Sequence, residues 1–250
     1  MRWSTVVGVV LLVTLCVGCQ ALDFLAIGKA KPYEGSLLEL FRDIRNRHQS
    51  IRNCQLEYEV KATEEGQTRV RRGTAWMQGT ALRLDEEIIY ETVGGDSHEV
   101  RVSTGSEDWI YRVDDGVASR QPLSPQTQEG VAERVARLGP LALIVEIPVP
   151  GPNMQVSEVR TTVGKQIRIE LVLGTPGSGE PWLRRTAWVG AKDLLVSRTE
   201  LEGARQERGR VVQFQRVHRY WNYELDRELE ADLFLFVPPM GTRIEQLPPR

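Results

Sequence analysis

Cysteine is scarce in this 250-residue chain: there are three, at positions 16, 19 and 54. Cys16 and Cys19 stand inside the apolar opening of the sequence, so Cys54 has no candidate partner for an intramolecular disulfide. The fold has to be held by its core, which a chain of this length can supply. Histidine is equally rare. His48, His98 and His218 lie far apart, and no two have metal-ligand spacing. There is no Gly-x-Ser-x-Gly elbow, and Cys54 has no motif around it that would make it a nucleophile. The glycines of Gly174–Gly179 lack the strand-to-helix setting of a phosphate loop and read as a hairpin turn. Charge of one sign is also missing: 32 Lys and Arg stand against 34 Asp and Glu, a balance that argues against a nucleic-acid partner. These absences leave no metal, no cofactor and no catalytic residue to propose, and favour a non-enzymatic module.

What is present begins at the N-terminus. Arg2 precedes an apolar run from Val6 to Val17, the length of a signal-peptide core and short of the ~20 residues a membrane-spanning helix needs. Leu15-Cys16-Val17-Gly18-Cys19 resembles the lipobox of bacterial lipoproteins. That resemblance implies a cleaved leader over residues 1–18 and acylation of Cys19. Residues 19–35 would then form the lipidated N-terminus and a tether. Attachment through several acyl chains would be lasting, and Gln20 in place of Asp implies the outer rather than the inner membrane.

Residues 36–250 read as one domain. Ser36 and Glu39 have capping-box spacing, and Leu37, Leu38, Phe41 and Ile44 mark an apolar stripe at helical period. From Asn53 the period becomes two: Cys54, Leu56, Tyr58, Val60 and Ala62 alternate with Gln55, Glu57, Glu59 and Lys61. Similar runs occupy residues 68–78, 81–86, 98–104, 108–113, 154–163, 165–173, 181–189, 194–201, 210–223 and 232–237. A second helix is expected from Ser124 to Leu138, between Pro125 and the Gly139-Pro140 stop. The sum is a mainly β fold, an antiparallel meander of about ten strands that must curl, with the helices covering its concave face.

The order of several short stretches carries a resemblance. Gly73-Thr74-Ala75-Trp76-Met77, Leu82-Arg83-Leu84-Asp85, Asp108-Trp109-Ile110-Tyr111, Ala187-Trp188-Val189-Gly190 and Leu195–Glu200 are followed by Leu233–Thr242. Together they look like the superfamily of the lipoprotein carriers LolA and LolB, which includes the RseB-type envelope regulators. That resemblance implies an unclosed, strongly curved antiparallel half-barrel lidded by helices, whose hollow accepts acyl chains of lipids or lipoproteins. It brings no catalytic residues. The candidate cavity residues are Leu56, Tyr58, Val60, Leu84, Trp109, Tyr111, Ile169 and Leu171, and the candidate lid residues are Leu37, Phe41 and Ile44. Whether these line a hollow or fill a core is left open by the pattern. So is the choice between an acyl-chain binder anchored in a bacterial envelope, a sensory protein that binds an envelope partner through the outer face of the sheet and, as a third class, a hydrolase whose polar groups would converge only in space.

Overall fold

The computed structural model describes residues 29–79, 81–91, 94–123 and 153–249. Cys19, the leader and the expected helix at 124–138 lie outside them. A two-residue strand β1 (Lys31–Pro32) leads into helix α1 (Leu37–Gln49). Ser36 caps α1 as its spacing indicates, its hydroxyl accepting the Glu39 N–H at 3.4 Å. Arg47 and His48 sit in the last turn, where cations suit the helix dipole. The buried stripe is Leu40, Phe41, Ile44 and His48. Leu38, expected on that stripe, is 73% exposed, because it sits ~100° around the helix from Leu37.

Hairpins then follow in series. The first run is β2 (Asn53–Glu64), β3 (Gln67–Gln78), β4 (Ala81–Tyr90), β5 (Asp96–Ser103), β6 (Glu107–Arg112) and β7 (Val117–Pro122). The second is β8 (Met154–Thr161), β9 (Gly164–Leu173), β10 (Trp182–Gly190), β11 (Val196–Glu207) and β12 (Arg210–Leu225). The two runs join through antiparallel pairing of β12 with β2. The result is one 13-stranded sheet in the order β1-β8-β9-β10-β11-β12-β2-β3-β4-β5-β6-β7-β13, where β13 (Arg243–Gln246) pairs β7 in parallel. Its ends do not meet: β1 and β13 are edges. The fold is mainly β and unclosed.

Three local expectations change. β7 and β13 were not legible as strands, and residues 232–237 do not form one. There the chain makes a 3-10 turn (Ala231–Phe234) and runs on across the convex face to β13. The meander is also not continuous, since β12 returns to the first strand of the opposite run. That return curls the sheet around α1. Leu40, Phe41 and Ile44 share a single buried cluster with Leu56, Met77, Leu82, Leu84, Ile167, Ile169, Val189 and Tyr220. Each large side chain there contributes roughly 1.5–3 kcal/mol by burial. Cys54 belongs to the same cluster, 1% exposed, its thiol pushed up to about 12 by burial and then by Asp226.

Candidate ligand-binding face

The strand registers carry residues across the concave face in rows. One row runs Val156, Ile169, Ala187, Thr199, His218, Val60, Arg71, Ile88. The next, further from α1, runs Met154, Leu171, Arg185, Leu201, Arg216, Ala62, Arg69, Tyr90. A third runs Leu173, Leu183, Gly203, Phe214, Glu64. The two faces of the sheet are therefore fixed by parity, and each candidate residue can be placed.

Leu56, Tyr58, Leu84 and Ile169 come together with Phe41 and Ile44 in the buried cluster, with Val60 packed against it. Leu56 is 1% exposed, Leu84 and Ile169 2%, and Ile44 1%. Among these residues the hollow is filled: helix side chains occupy the space a ligand would take. Leu37 is half-buried, and Leu171 is half-buried in the second row.

Trp109 and Tyr111 are on the other face. Val102 is the register partner of both Trp109 and Arg83, whereas Leu84 pairs with Arg101. Trp109 and Tyr111 therefore point away from Leu84. They form a second cluster with Val100, Val102 and Ala118, covered by Phe236 of the C-terminal segment at 5.2 and 5.6 Å. The sequence pattern put them on the concave side because one apolar face was assumed. Here the apolar phase of β5 and β6 lies on the convex face, where the C-terminal strap covers it, while Glu99 and Arg101 stand on the concave one.

All five tryptophans of the described residues share that convex parity: Trp76, Trp109, Trp182, Trp188 and Trp221. Four of the five indoles contact polar or charged neighbours. Trp221 donates to Glu57 at 2.7 Å, Trp76 to Gln55 at 3.0 Å and Trp109 to Glu107 at 3.0 Å. Trp188 lies between Arg168 and Arg198, at 5.9 and 4.9 Å from its ring. Indoles suit this position, giving apolar cover to charged neighbours through ring faces and N–H groups.

On the concave side, just past the helix, lies a polar knot that sequence reasoning missed. Glu86 has a fully buried side chain. It accepts hydrogen bonds from Arg71 in bidentate fashion and from the Tyr58 hydroxyl at 2.7 Å, with Arg101 at 3.3 Å. Glu99 pairs with the same Nε of Arg101. Gly73 makes the knot possible: it is the register partner of both Tyr58 and Glu86, and a Cβ there would meet the Asp85 carbonyl oxygen at 1.9 Å. Tyr58 thus reaches across an empty position. Burial opposes the Arg71 charge, but the bond and charge of Glu86 outweigh it and raise Arg71 above its ordinary value. Burial, then Glu86, pushes the Tyr58 hydroxyl far up. Convergent polar groups can mark an active site. Here the carboxylate oxygens are taken by arginine and tyrosine, and the knot offers no nucleophile with an open approach. It binds strands together.

His218 closes the knot on the β12 side, its Nδ1 3.0 Å from the Tyr220 hydroxyl. Burial, then Arg216 and Arg71, brings it down to about 4. His48 also falls to about 4 by burial, which outweighs its bond with the Leu194 carbonyl at 3.0 Å. Both are neutral in the folded protein at neutral pH, against ~6.5 in an unfolded chain. The unfolded state takes up protons that the folded state refuses. The two histidines therefore leave stability intact above pH ~6.5 and erode it as pH falls towards 4, by up to ~1.4 kcal/mol per pH unit each. Urea midpoints at pH 7, 6 and 5 should decline accordingly, and His218→Asn should remove about half the decline. A flat midpoint over that window would contradict both assignments.

Beyond the knot the concave face opens. Leu171, Leu183, Leu201 and Phe214 are half-buried, and Leu173 is 44% exposed. Gly203 lets the Phe214 ring lie across it: an added Cβ would meet that ring at 3.1 Å and the Trp182 carbonyl oxygen at 2.4 Å. These residues form a strip that alternates between the second and third rows, with Arg185 and Arg216 beside it, crosses β9 to β12 and adjoins Ala62 on β2, a span of about 19 Å at the usual strand spacing. Among the described residues no group of three or more His, Cys, Asp or Glu is placed to hold a metal ion, and no helix is long and apolar enough to cross a membrane.

No family model matches the chain, and no curated protein matches it in sequence. Solved structures show likeness in outline. An uncharacterized conserved protein from Thermus thermophilus is 12% identical, with 85% of this chain and all of that one covered, at a TM-score of 0.44. A DUF1329 family protein from Desulfovibrio piger is 14% identical over 79% and 95% of the two chains, at 0.32. A domain from Vibrio parahaemolyticus named for outer membrane lipoprotein sorting is 10% identical over 78% and 95%, at 0.28. At these scores the likenesses say nothing of this chain's ligands.

Proposed function

We propose that the chain is a non-enzymatic, lipid-anchored protein of a bacterial envelope, and that it holds the acyl chain of a lipid or lipoprotein on the concave face. Of the set expected from the sequence, Leu56, Tyr58, Leu84 and Ile169 pack against one another under α1, so the binding region is placed beyond them and keeps Leu171 of that set. It is the half-buried strip of Leu171, Leu183, Leu201 and Phe214, and this strip is the observation that carries the reading. A chain of ~14 methylenes laid there would gain on the order of 10 kcal/mol gross. Ordering the ligand would remove much of that, which suits reversible holding. Anchoring rests on the lipobox-like stretch, with the outer membrane favoured by Gln20. Cys19→Ser should shift the protein from the membrane pellet to the soluble fraction once the leader is gone. Retention in the pellet under high salt would refute lipid anchoring. Binding itself is tested by saturable uptake of a fluorescent fatty-acyl probe, read from the probe, since the described tryptophans face the other way.

A second reading has its own support. The convex face carries Trp188 between Arg168 and Arg198, with Trp76, Trp182 and Trp221 half-buried on the same side, residue types enriched at protein interfaces, and would serve an envelope partner protein. Arg168→Ala with Arg198→Ala would then abolish partner capture while leaving acyl uptake unchanged.

A further inference from the structure

Where the apolar strip reaches β2 it runs into a pocket of about 520 Å³, lined by Ala62, Arg69, Tyr90, Phe214 and Arg216 and bordered by Glu64, Glu65 and Arg205. Arg216 and Arg69 are the register partners of Ala62 on its two sides. They flank it at one strand spacing each, ~9.6 Å apart from backbone to backbone, and the Ala62 methyl leaves the space between them open. Tyr90 and Phe214 supply aromatic walls.

On the concave face Arg71 and Arg101 each sit beside a carboxylate. In the pocket, Arg205 is held by Glu64 and Glu207 and lies 5.5 Å from the Phe214 ring. Arg69 and Arg216 have no carboxylate within ion-pair distance among the described residues. Among the described residues, Glu65, at the tip of the β2–β3 hairpin, is the only acid lining this pocket that Arg205 does not hold. Two guanidinium forks across a small residue are suited to an oxyanion, which arginine grips in bidentate fashion where lysine offers a point charge.

We infer that this pocket takes the acidic head, phosphate or carboxylate, of an amphiphile whose tail lies on the strip. The inference rests on the acyl-binding reading for the tail and on Arg69 and Arg216 for the head. Leu201 is the other register partner of Arg216, so head and tail sites adjoin.

The test uses the full chain, extracted from membranes and held in an amphipathic polymer. Three probes are titrated by calorimetry: dodecyl phosphate, dodecyl maltoside and inorganic phosphate. The expected result is that dodecyl phosphate binds at least tenfold more tightly than dodecyl maltoside. Arg69→Gln with Arg216→Gln should abolish that advantage and leave dodecyl maltoside binding unchanged. Both arginines are exposed, so the variant should keep the native melting temperature, checked in parallel. Equal binding of the two amphiphiles, unaffected by the variant, would overturn the head site and leave the acyl reading standing. Inorganic phosphate bound as tightly as dodecyl phosphate, and lost in the variant, would support the anion site with free phosphate as its source and overturn the acyl reading. Binding of none of the three would overturn both.

Discussion

Glu86→Ala should lower the free energy of unfolding by about 3–5 kcal/mol, the range for breaking a buried ion pair from one side. The Glu86 side chain has no solvent exposure, and its partner Arg71 is only 18% exposed in its side chain. Removing the carboxylate strands that guanidinium and leaves the Tyr58 hydroxyl without its acceptor. Arg101 suffers less, because Glu99 still faces it. If the knot is structural, an apolar pair in its place, Glu86→Leu with Arg71→Met, should recover most of the loss, as buried ion pairs replaced by packed hydrophobes commonly do. Urea unfolding measures both. A loss below ~0.5 kcal/mol for Glu86→Ala would mean that water reaches the knot and that this part of the concave face is open.

A second pair of variants separates core from binding strip. Leu84→Ala deletes a side chain 2% exposed inside the helix-covered cluster and should cost about 2–5 kcal/mol. Acyl uptake, measured well below the melting transition, should be unchanged. Leu201→Glu should do the opposite. Leu201 is half-buried between Arg185 and Arg216 in its row, so a new carboxylate meets two guanidiniums and stability should change by less than ~1 kcal/mol. A charge in the middle of the strip should weaken acyl binding by more than tenfold. If Leu84→Ala abolished uptake and Leu201→Glu did not, the ligand would belong under α1.

Much of the fold was legible because its strands alternate cleanly. Ser36 and Glu39 located the start of α1, and Cys54 to Ala62 gave β2 its phase. Failures came where pattern and burial part company. In β5 and β6 the apolar phase faces the convex side under Phe236 and the charged phase of β5 enters the knot, so alternation alone could not say which face was concave. Trp109 and Tyr111 were misplaced for that reason. The β12–β2 pairing joins residues more than a hundred positions apart, and nothing local encodes it. The strap at Leu233–Val237 is apolar enough to mimic a strand, yet its backbone turns and runs unpaired.

The knot, in contrast, left a readable trace. Glu86 occupies an inward position in the series Leu82, Leu84, Glu86, Ile88, and Arg71 does so in the series Arg71, Gly73, Ala75, Met77. A charge in an apolar phase predicts a buried partner, and two such charges on neighbouring strands predict each other. Arg216 and Arg69 are also inward positions, flanking Ala62, but they are exposed and have no carboxylate partner among the described residues. Apolar residues were sought for a lining, and the most apolar and best-alternating of them are packed in the core.

Native mass spectrometry of the protein purified from membranes tests the central claim most directly. The protein should carry a bound lipid or acylated species beyond its own covalent lipid, retained in Leu84→Ala and absent from Leu201→Glu. A native spectrum showing only the covalently lipidated chain, from protein that is folded and never exposed to detergent above its micellar concentration, would contradict acyl binding on the concave face.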